Sequence, residues 1–237
     1  MFPLIKTIGA LTFVDDDDGL LQAVRIGIRD PVVHTFSDLE AARLHIQAST
    51  AFLGEQRVLI KDIVTADTHT QRVEAARALL SDPKHLQMSE VVYVDYTMPR
   101  MTGLQFLKSV DCGDMKRVLM TGAADESIVE GARQRAEVHS HVDKGRPNLV
   151  RTIRETSIRL DESVNALLRK NLSADFLANL TQGPQNLSAA MSVANVLEYV
   201  AVSGPDGFVC KTKDNSFVWI QPSKEGPTEW SVEKLSV

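Results

Sequence analysis

The stretch Val91-Val92-Tyr93-Val94-Asp95-Tyr96-Thr97-Met98-Pro99-Arg100-Met101-Thr102-Gly103-Leu104 decides how the chain is read. Its apolar opening ends on one carboxylate, and Pro99 and Gly103 let the backbone leave a strand sharply and open a helix. A short apolar run of this kind reads as a buried parallel strand, and open parallel sheets collect ligands at the carboxyl ends of their strands. The pattern recurs three times: Phe13-Val14 runs into Asp15, Asp16, Asp17 and Asp18; Val118-Leu119-Met120 into Thr121; and His141-Val142-Asp143 into Lys144. Acids, a hydroxyl and an ammonium would meet in one crevice, which suits a divalent cation and a phosphoryl group.

Outward from that stretch, strands and helices alternate, the mark of a doubly wound five-stranded parallel sheet. Leu11 to Val14 and Val32 to Phe36 read as strands, with Leu20 to Ile28 helical between them. Ser37, with Glu40 three residues on, reads as the N-cap of a second helix carrying Leu39, Ala42, Leu44 and Ile46. Residues 47–90 hold no convincing strand and read as a helical insertion, with Val73, Ala76, Leu79 and Leu80 on one helix face. The order resumes with a helix at Leu104 to Val110, a strand at Arg117 to Met120, a helix around Ser127 to Ala136 and a strand at Val138 to Val142. Asn148 to about Leu172 is helical in pattern, and another helical tract starts at Leu187. Tyr199 to Ser203, Phe208 to Lys213 and Phe217 to Gln221, separated by the turn signals Gly204-Pro205-Asp206-Gly207 and Asp214-Asn215, read as a small antiparallel meander. The expected organisation is a sheet domain over 1–147, with its insertion at about 47–90, and a helical plus β extension over 148–237.

At 237 residues the chain is long enough to bury a core, and its formal net charge of −5 gives no electrostatic reason to expect nucleic acid or an anionic membrane as partner. Two cysteines, Cys112 and Cys210, are too few for a disulfide framework and read as ordinary thiols of a reducing compartment. Residues 1–14 lack a small-residue cleavage pattern and run into four aspartates, so no signal peptide is expected. Leu187 to Val202 is interrupted by Asn195 and Glu198 and is too short to span a bilayer. A cytoplasmic location follows as the expectation.

Asp95 is a usable phosphoryl acceptor once its charge and the donor's are neutralised together, work for Mg²⁺ or Mn²⁺ held by further carboxylates. Asp15 and Asp16 would hold that metal, since an acidic run at a strand end makes sense chiefly with a cation in it. Thr121 and Lys144 each suit a phosphoryl oxygen. Taken singly, Thr121 reads as well as a turn hydroxyl and Lys144 as a solvated surface lysine.

Taken together, these residues resemble the receiver domain of bacterial two-component response regulators, a flavodoxin-like fold, over roughly Leu11 to Glu155 apart from the insertion. Asp95 to Leu104 matches the family's D-x-x-M-P-x-M-x-G-L segment at every defined position. The resemblance implies that Asp95 is the phosphorylated residue, Asp15 and Asp16 the acidic pair at the metal, and Thr97 a metal ligand through its backbone carbonyl. It makes Thr121 the switch hydroxyl and Lys144 the phosphoryl-pairing lysine. It further implies a histidine kinase or phosphotransfer protein as donor, a downstream protein partner or homodimer as output, and no enzymatic turnover beyond self-phosphorylation and autodephosphorylation. The chain departs from the family at four points. These are the insertion, His141 where an aromatic switch residue is usual, Gly145 where a cis-forming proline is common, and the extra Asp17 and Asp18, which leave the acidic register open. With Gly145, a looser loop after the fifth strand is expected.

A rival reading takes Asp16-Asp17-Asp18-Gly19-Leu20-Leu21, which resembles the D-x-D-G-[TV]-[LIV] opening of haloacid-dehalogenase-type phosphatases, and makes Asp16 the nucleophile. Leu20 departs from that pattern, no acidic pair follows Lys144 at a strand end, and the Asp95 segment is left without a role. For output, residues 148–237 carry 9 Lys and Arg against 10 Asp and Glu, and no basic recognition helix is legible. Protein contact is therefore expected in place of DNA binding, through the insertion or a stripe of Ile153, Leu160, Val164 and Leu167.

Overall fold

A computed structural model describes residues 4–6, 10–28, 32–82, 88–122, 126–160, 168–182, 184–223 and 229–235. In chain order the elements are β1 (Ile5–Lys6), β2 (Ala10–Val14), α1 (Asp18–Gly27), β3 (Val32–Phe36), α2 (Leu39–Thr65), α3 (His69–Ser81), β4 (Ser89–Asp95), α4 (Gly103–Ser109), β5 (Lys116–Thr121), α5 (Glu126–Gln134), β6 (Ser140–Asp143), α6 (Leu149–Leu160), α7 (Ala174–Gln182), α8 (Pro184–Val193), β7 (Val196–Val202), β8 (Gly207–Thr212), β9 (Phe217–Pro222) and β10 (Trp230–Lys234). By contact they form two compact units, described separately below.

The first unit spans 8–55 and 84–161 and holds a five-stranded parallel sheet of order β3-β2-β4-β5-β6. Its middle strands are apolar at successive positions because helices cover both faces. On one face Phe13, Tyr93, Val118, Met120 and Val142 pack with Leu21 and Val24 of α1 and Ile153 of α6. On the other, Val14, Val92, Val94 and Leu119 pack with Ala42 and Ile46 of α2, Phe106 of α4 and Val129 of α5. Tyr93 is accommodated in this core because its ring stacks on Phe13 at 4.7 Å and its hydroxyl donates to the Ile153 carbonyl at 3.1 Å.

Three local expectations change here. Asp38, not Ser37, caps α2: its carboxylate accepts from the Ala41 N–H at 2.8 Å and its carbonyl from the Ala42 N–H. Helix α6 packs against the parallel sheet, where Ile153 is fully buried, so the boundary expected at 147/148 falls after this helix. Ile153 is thereby removed from the expected contact stripe; the Leu160, Val164 and Leu167 side chains lie outside the described residues.

The second unit spans 1–7, 56–83 and 162–237 and is built on an antiparallel sheet of order β1-β7-β8-β9-β10. The expected meander is therefore its centre, extended by β1 beside β7 and by β10 beside β9. Its core joins Val200, Phe208, Cys210 and Ile220 of the sheet to Ala76, Leu79 and Leu80 of α3, Phe176 and Leu180 of α7, and Leu187 of α8. The Gln47 to Glu90 stretch divides: α2 is one helix whose Ala42 and Ile46 serve the first core and whose Ile63 serves the second, and α3 lies wholly in the second. Gly204, at φ +127°, takes a turn conformation that a side chain would strain. Both cysteines are buried and free, and burial pushes the Cys112 thiol up to about 11. No helix among the described residues is long and apolar enough to cross a membrane.

Candidate functional site

The four consecutive aspartates divide by role. Asp15 follows β2 directly, is 1% exposed, and donates its N–H to the Phe36 carbonyl at 3.1 Å. Asp17 is the N-cap of α1, accepting from the N–H groups of Gly19 at 2.9 Å and Leu20 at 3.1 Å, and Asp18 lies in the helix's first turn. Asp16 is left exposed between them. Asp17 is engaged in this cap, and Asp15, Asp16 and Asp95 form the only group of three or more side chains able to ligate one metal among the described residues, with one oxygen from each lying within 4.8 Å of the others.

Asp95 ends β4 with 5% exposure. Two contacts fix the backbone beyond it. The Tyr96 N–H donates to the Met120 carbonyl at 2.8 Å, and the Gly103 N–H donates to the Tyr96 carbonyl at 2.9 Å. Thr102 then starts α4 with a capping box, exchanging hydrogen bonds with Gln105. Thr97 stands exposed in the intervening loop, two residues past Asp95. Thr121, 4% exposed, ends β5, and its carbonyl accepts the Lys144 N–H at 2.8 Å. The Lys144 ammonium lies 2.7 Å from Asp15 Oδ2 and 2.8 Å from Asp95 Oδ1. The solvated-surface reading of Lys144 is thereby excluded. His141 pairs in register with Leu119 and is half-buried.

Two buried carboxylates facing one ammonium leave the crevice short of positive charge. Burial raises the Asp15 carboxyl above its ordinary range, hydrogen bonds from Lys144 and the Asp17 N–H offset part of that, and the Asp95 charge adds to it. Burial alone would lower Lys144, but its hydrogen bonds to Asp15 and Asp95 prevail and raise it, so it stays charged. The donor set is all carboxylate oxygen, the hard chemistry that suits Mg²⁺ or Mn²⁺ over a thiophilic metal, and a divalent cation would supply the missing charge.

One contributor escaped the sequence reading. The Asp143 carboxylate accepts the Gly145 N–H at 2.8 Å and pairs with Arg146 Nε at 3.7 Å, tying the loop that carries Lys144. The D-x-G spacing after an apolar run was the available signal.

No protein-family model and no curated protein matches this chain. Among solved structures, the response regulator LqsR of Legionella pneumophila aligns with a TM-score of 0.60 at 18% identity, over 92% of this chain and 67% of that one. The chemotaxis protein CheY4 of Vibrio cholerae aligns at 0.40 and 14% identity, over 65% of this chain and 99% of its own. A CheY-like receiver domain from Methanospirillum hungatei aligns at 0.41 and 15% identity, over 66% and 96%. At 18% identity the likeness to LqsR is one of fold. The parallel-sheet unit has the flavodoxin-like receiver fold, with the acidic cluster at the carboxyl ends of its strands.

Proposed function

We propose that the protein is a response regulator that takes a phosphoryl group on Asp95 from a histidine kinase or phosphotransfer protein and signals through a change in its receiver unit. The observation that carries this reading is the Lys144 ammonium held between the buried Asp15 and Asp95 carboxylates, with Asp16 beside them. Asp15, Asp16, Asp95 and the Thr97 carbonyl would hold Mg²⁺ or Mn²⁺, which when bound neutralises charge on the incoming phosphoryl group.

An Asp95 carboxylate oxygen attacks phosphorus, forming a new P–O bond as the bond to the donor's leaving group breaks. Lys144, already charged at Asp95, pairs with one phosphoryl oxygen, and Thr121 donates its hydroxyl to another. Both residues are then drawn toward the acceptor, biasing the surface formed by β5, β6 and their helices. His141, on β6 three residues before Lys144, would follow that change.

Asp16 as the nucleophile of a phosphatase is less well supported, because Lys144 pairs with Asp15 and Asp95 while Asp16 stays exposed. For output, the near-neutral charge of residues 47–90, with 5 Lys and Arg against 6 Asp and Glu, and of the C-terminal segment favours a protein partner or a second copy over duplex DNA. Incubation with acetyl phosphate, with and without Mg²⁺, followed by intact-mass measurement tests the acceptor. One phosphoryl group should appear only with the metal and be absent from Asp95→Asn; unchanged uptake by that variant rejects the assignment.

A further inference from the structure

We propose that Asp143 is a positioning residue that sets the Lys144 ammonium at the acceptor site by holding the β6–α6 turn. The proposal rests on the phosphoacceptor reading of Asp95 and adds a residue to it.

Lys144 is the first residue after β6, so its direction depends on how the chain leaves that strand. Three bonds determine that departure. The Lys144 N–H donates to the Thr121 carbonyl at 2.8 Å, continuing the β5 ladder one residue past the strand. The Arg146 N–H reaches the Asp143 carbonyl at 3.4 Å, closing a turn with Lys144 at its second position. Inside that turn the Asp143 carboxylate accepts the Gly145 N–H at 2.8 Å, an Asx turn that spans the lysine.

Gly145 is therefore no sign of a loose loop. It keeps the N–H that a proline would lack, and a Cβ there would stand 3.2 Å from Asp143 Oδ1, pressing on the acceptor itself. The Asp143 carboxylate engages Gly145 and Arg146. It acts through Lys144. The property required is an oxygen acceptor at Oδ1, not a charge, and asparagine supplies that acceptor equally.

The test compares Asp143→Ala, Asp143→Asn, Lys144→Ala and the Asp143→Ala/Lys144→Ala double variant. Two readouts are used: beryllofluoride binding in Mg²⁺ by ¹⁹F NMR, and the ¹⁵N–¹H signal of the Lys144 ammonium in the protein without added ligand. Asp143→Ala should weaken beryllofluoride binding about three- to tenfold, the loss that one hydrogen bond carries. It should also broaden or remove the ammonium signal. Asp143→Asn should restore both, and in the Lys144→Ala background Asp143→Ala should have no further effect on binding. An unchanged Asp143→Ala, an equal loss in both backgrounds, or an Asp143→Asn as impaired as Asp143→Ala each overturns the proposal. If the wild type binds no beryllofluoride, the phosphoacceptor reading falls. The ammonium signal then decides alone: loss in Asp143→Ala with retention in Asp143→Asn upholds the positioning role, and no change rejects it.

Discussion

Gly103 lies against the backbone of Asp95 so closely that a Cβ on Gly103 would fall 2.2 Å from the Asp95 carbonyl oxygen. Only hydrogen fits there, and the atom in the way is backbone, which cannot rotate aside. Gly103→Ala must push α4 and the end of β4 apart. The expected cost is about 1–3 kcal/mol, the range for overpacking a close contact, read as a lower midpoint in urea unfolding. If Asp95 takes up the phosphoryl group as proposed, uptake should fall with it, since Asp95 ends the displaced strand.

The strand-end residues were legible in the sequence because each is fixed by its own strand. Asp95, Thr121 and Lys144 follow apolar runs whose partners are neighbours in a parallel ladder, and a strand buried on both faces announces itself without periodicity. The register of the four aspartates was not legible, because it depends on which of them caps α1, and any of them is chemically able to. The edges of the antiparallel sheet were hidden for another reason. β1 is only two residues long, too short to show alternation, and its partner Val200 is far away in sequence. Likewise, nothing local shows that α2 changes cores along its length, since Ile46 and Ile63 carry the same helical signal in either environment.

The division of labour among the aspartates makes a paired prediction. Asp17→Ala removes the α1 cap and should cost about 1 kcal/mol of stability while leaving the Mg²⁺ dependence of phosphoryl uptake in place. Asp16→Asn should do the reverse: little change in unfolding midpoint, because Asp16 is exposed, and a higher Mg²⁺ concentration for half-maximal uptake. Matching effects of the two variants on the metal titration would show that the cluster does not end at Asp16.

Acid should weaken the parallel-sheet unit through His45. Burial, with the nearby His34 adding to it, lowers this imidazole to about 4, while Ser89 Oγ lies 3.1 Å from its Nε2. The unfolded chain takes up a proton near 6.5, so between that value and about 4 it holds more protons than the folded one, and stability rises with pH across the window. Stability should therefore be retained above about 6.5 and decline as pH falls toward 4, by on the order of 2 kcal/mol. Urea unfolding of the wild type at pH 7 and 4.5, beside His45→Gln, checks this; a variant that loses as much as the wild type assigns the decline elsewhere.

Removing Lys144 should expose how far the crevice depends on positive charge. In Lys144→Ala the Asp15 and Asp95 carboxylates remain buried, at 1% and 5% exposure, with their shared cation gone. Breaking a buried pair from one side leaves an uncompensated buried charge and should cost about 3–5 kcal/mol. A divalent cation bound there would replace what the lysine supplied. Mg²⁺ should therefore raise the melting temperature of Lys144→Ala by more than it raises that of the wild type, and EDTA should cancel the gain in both. Asp15→Asn on the Lys144→Ala background should recover stability without metal, because one of the two opposed charges is gone. Equal Mg²⁺ shifts in wild type and Lys144→Ala would mean that cation and lysine do not answer the same charge.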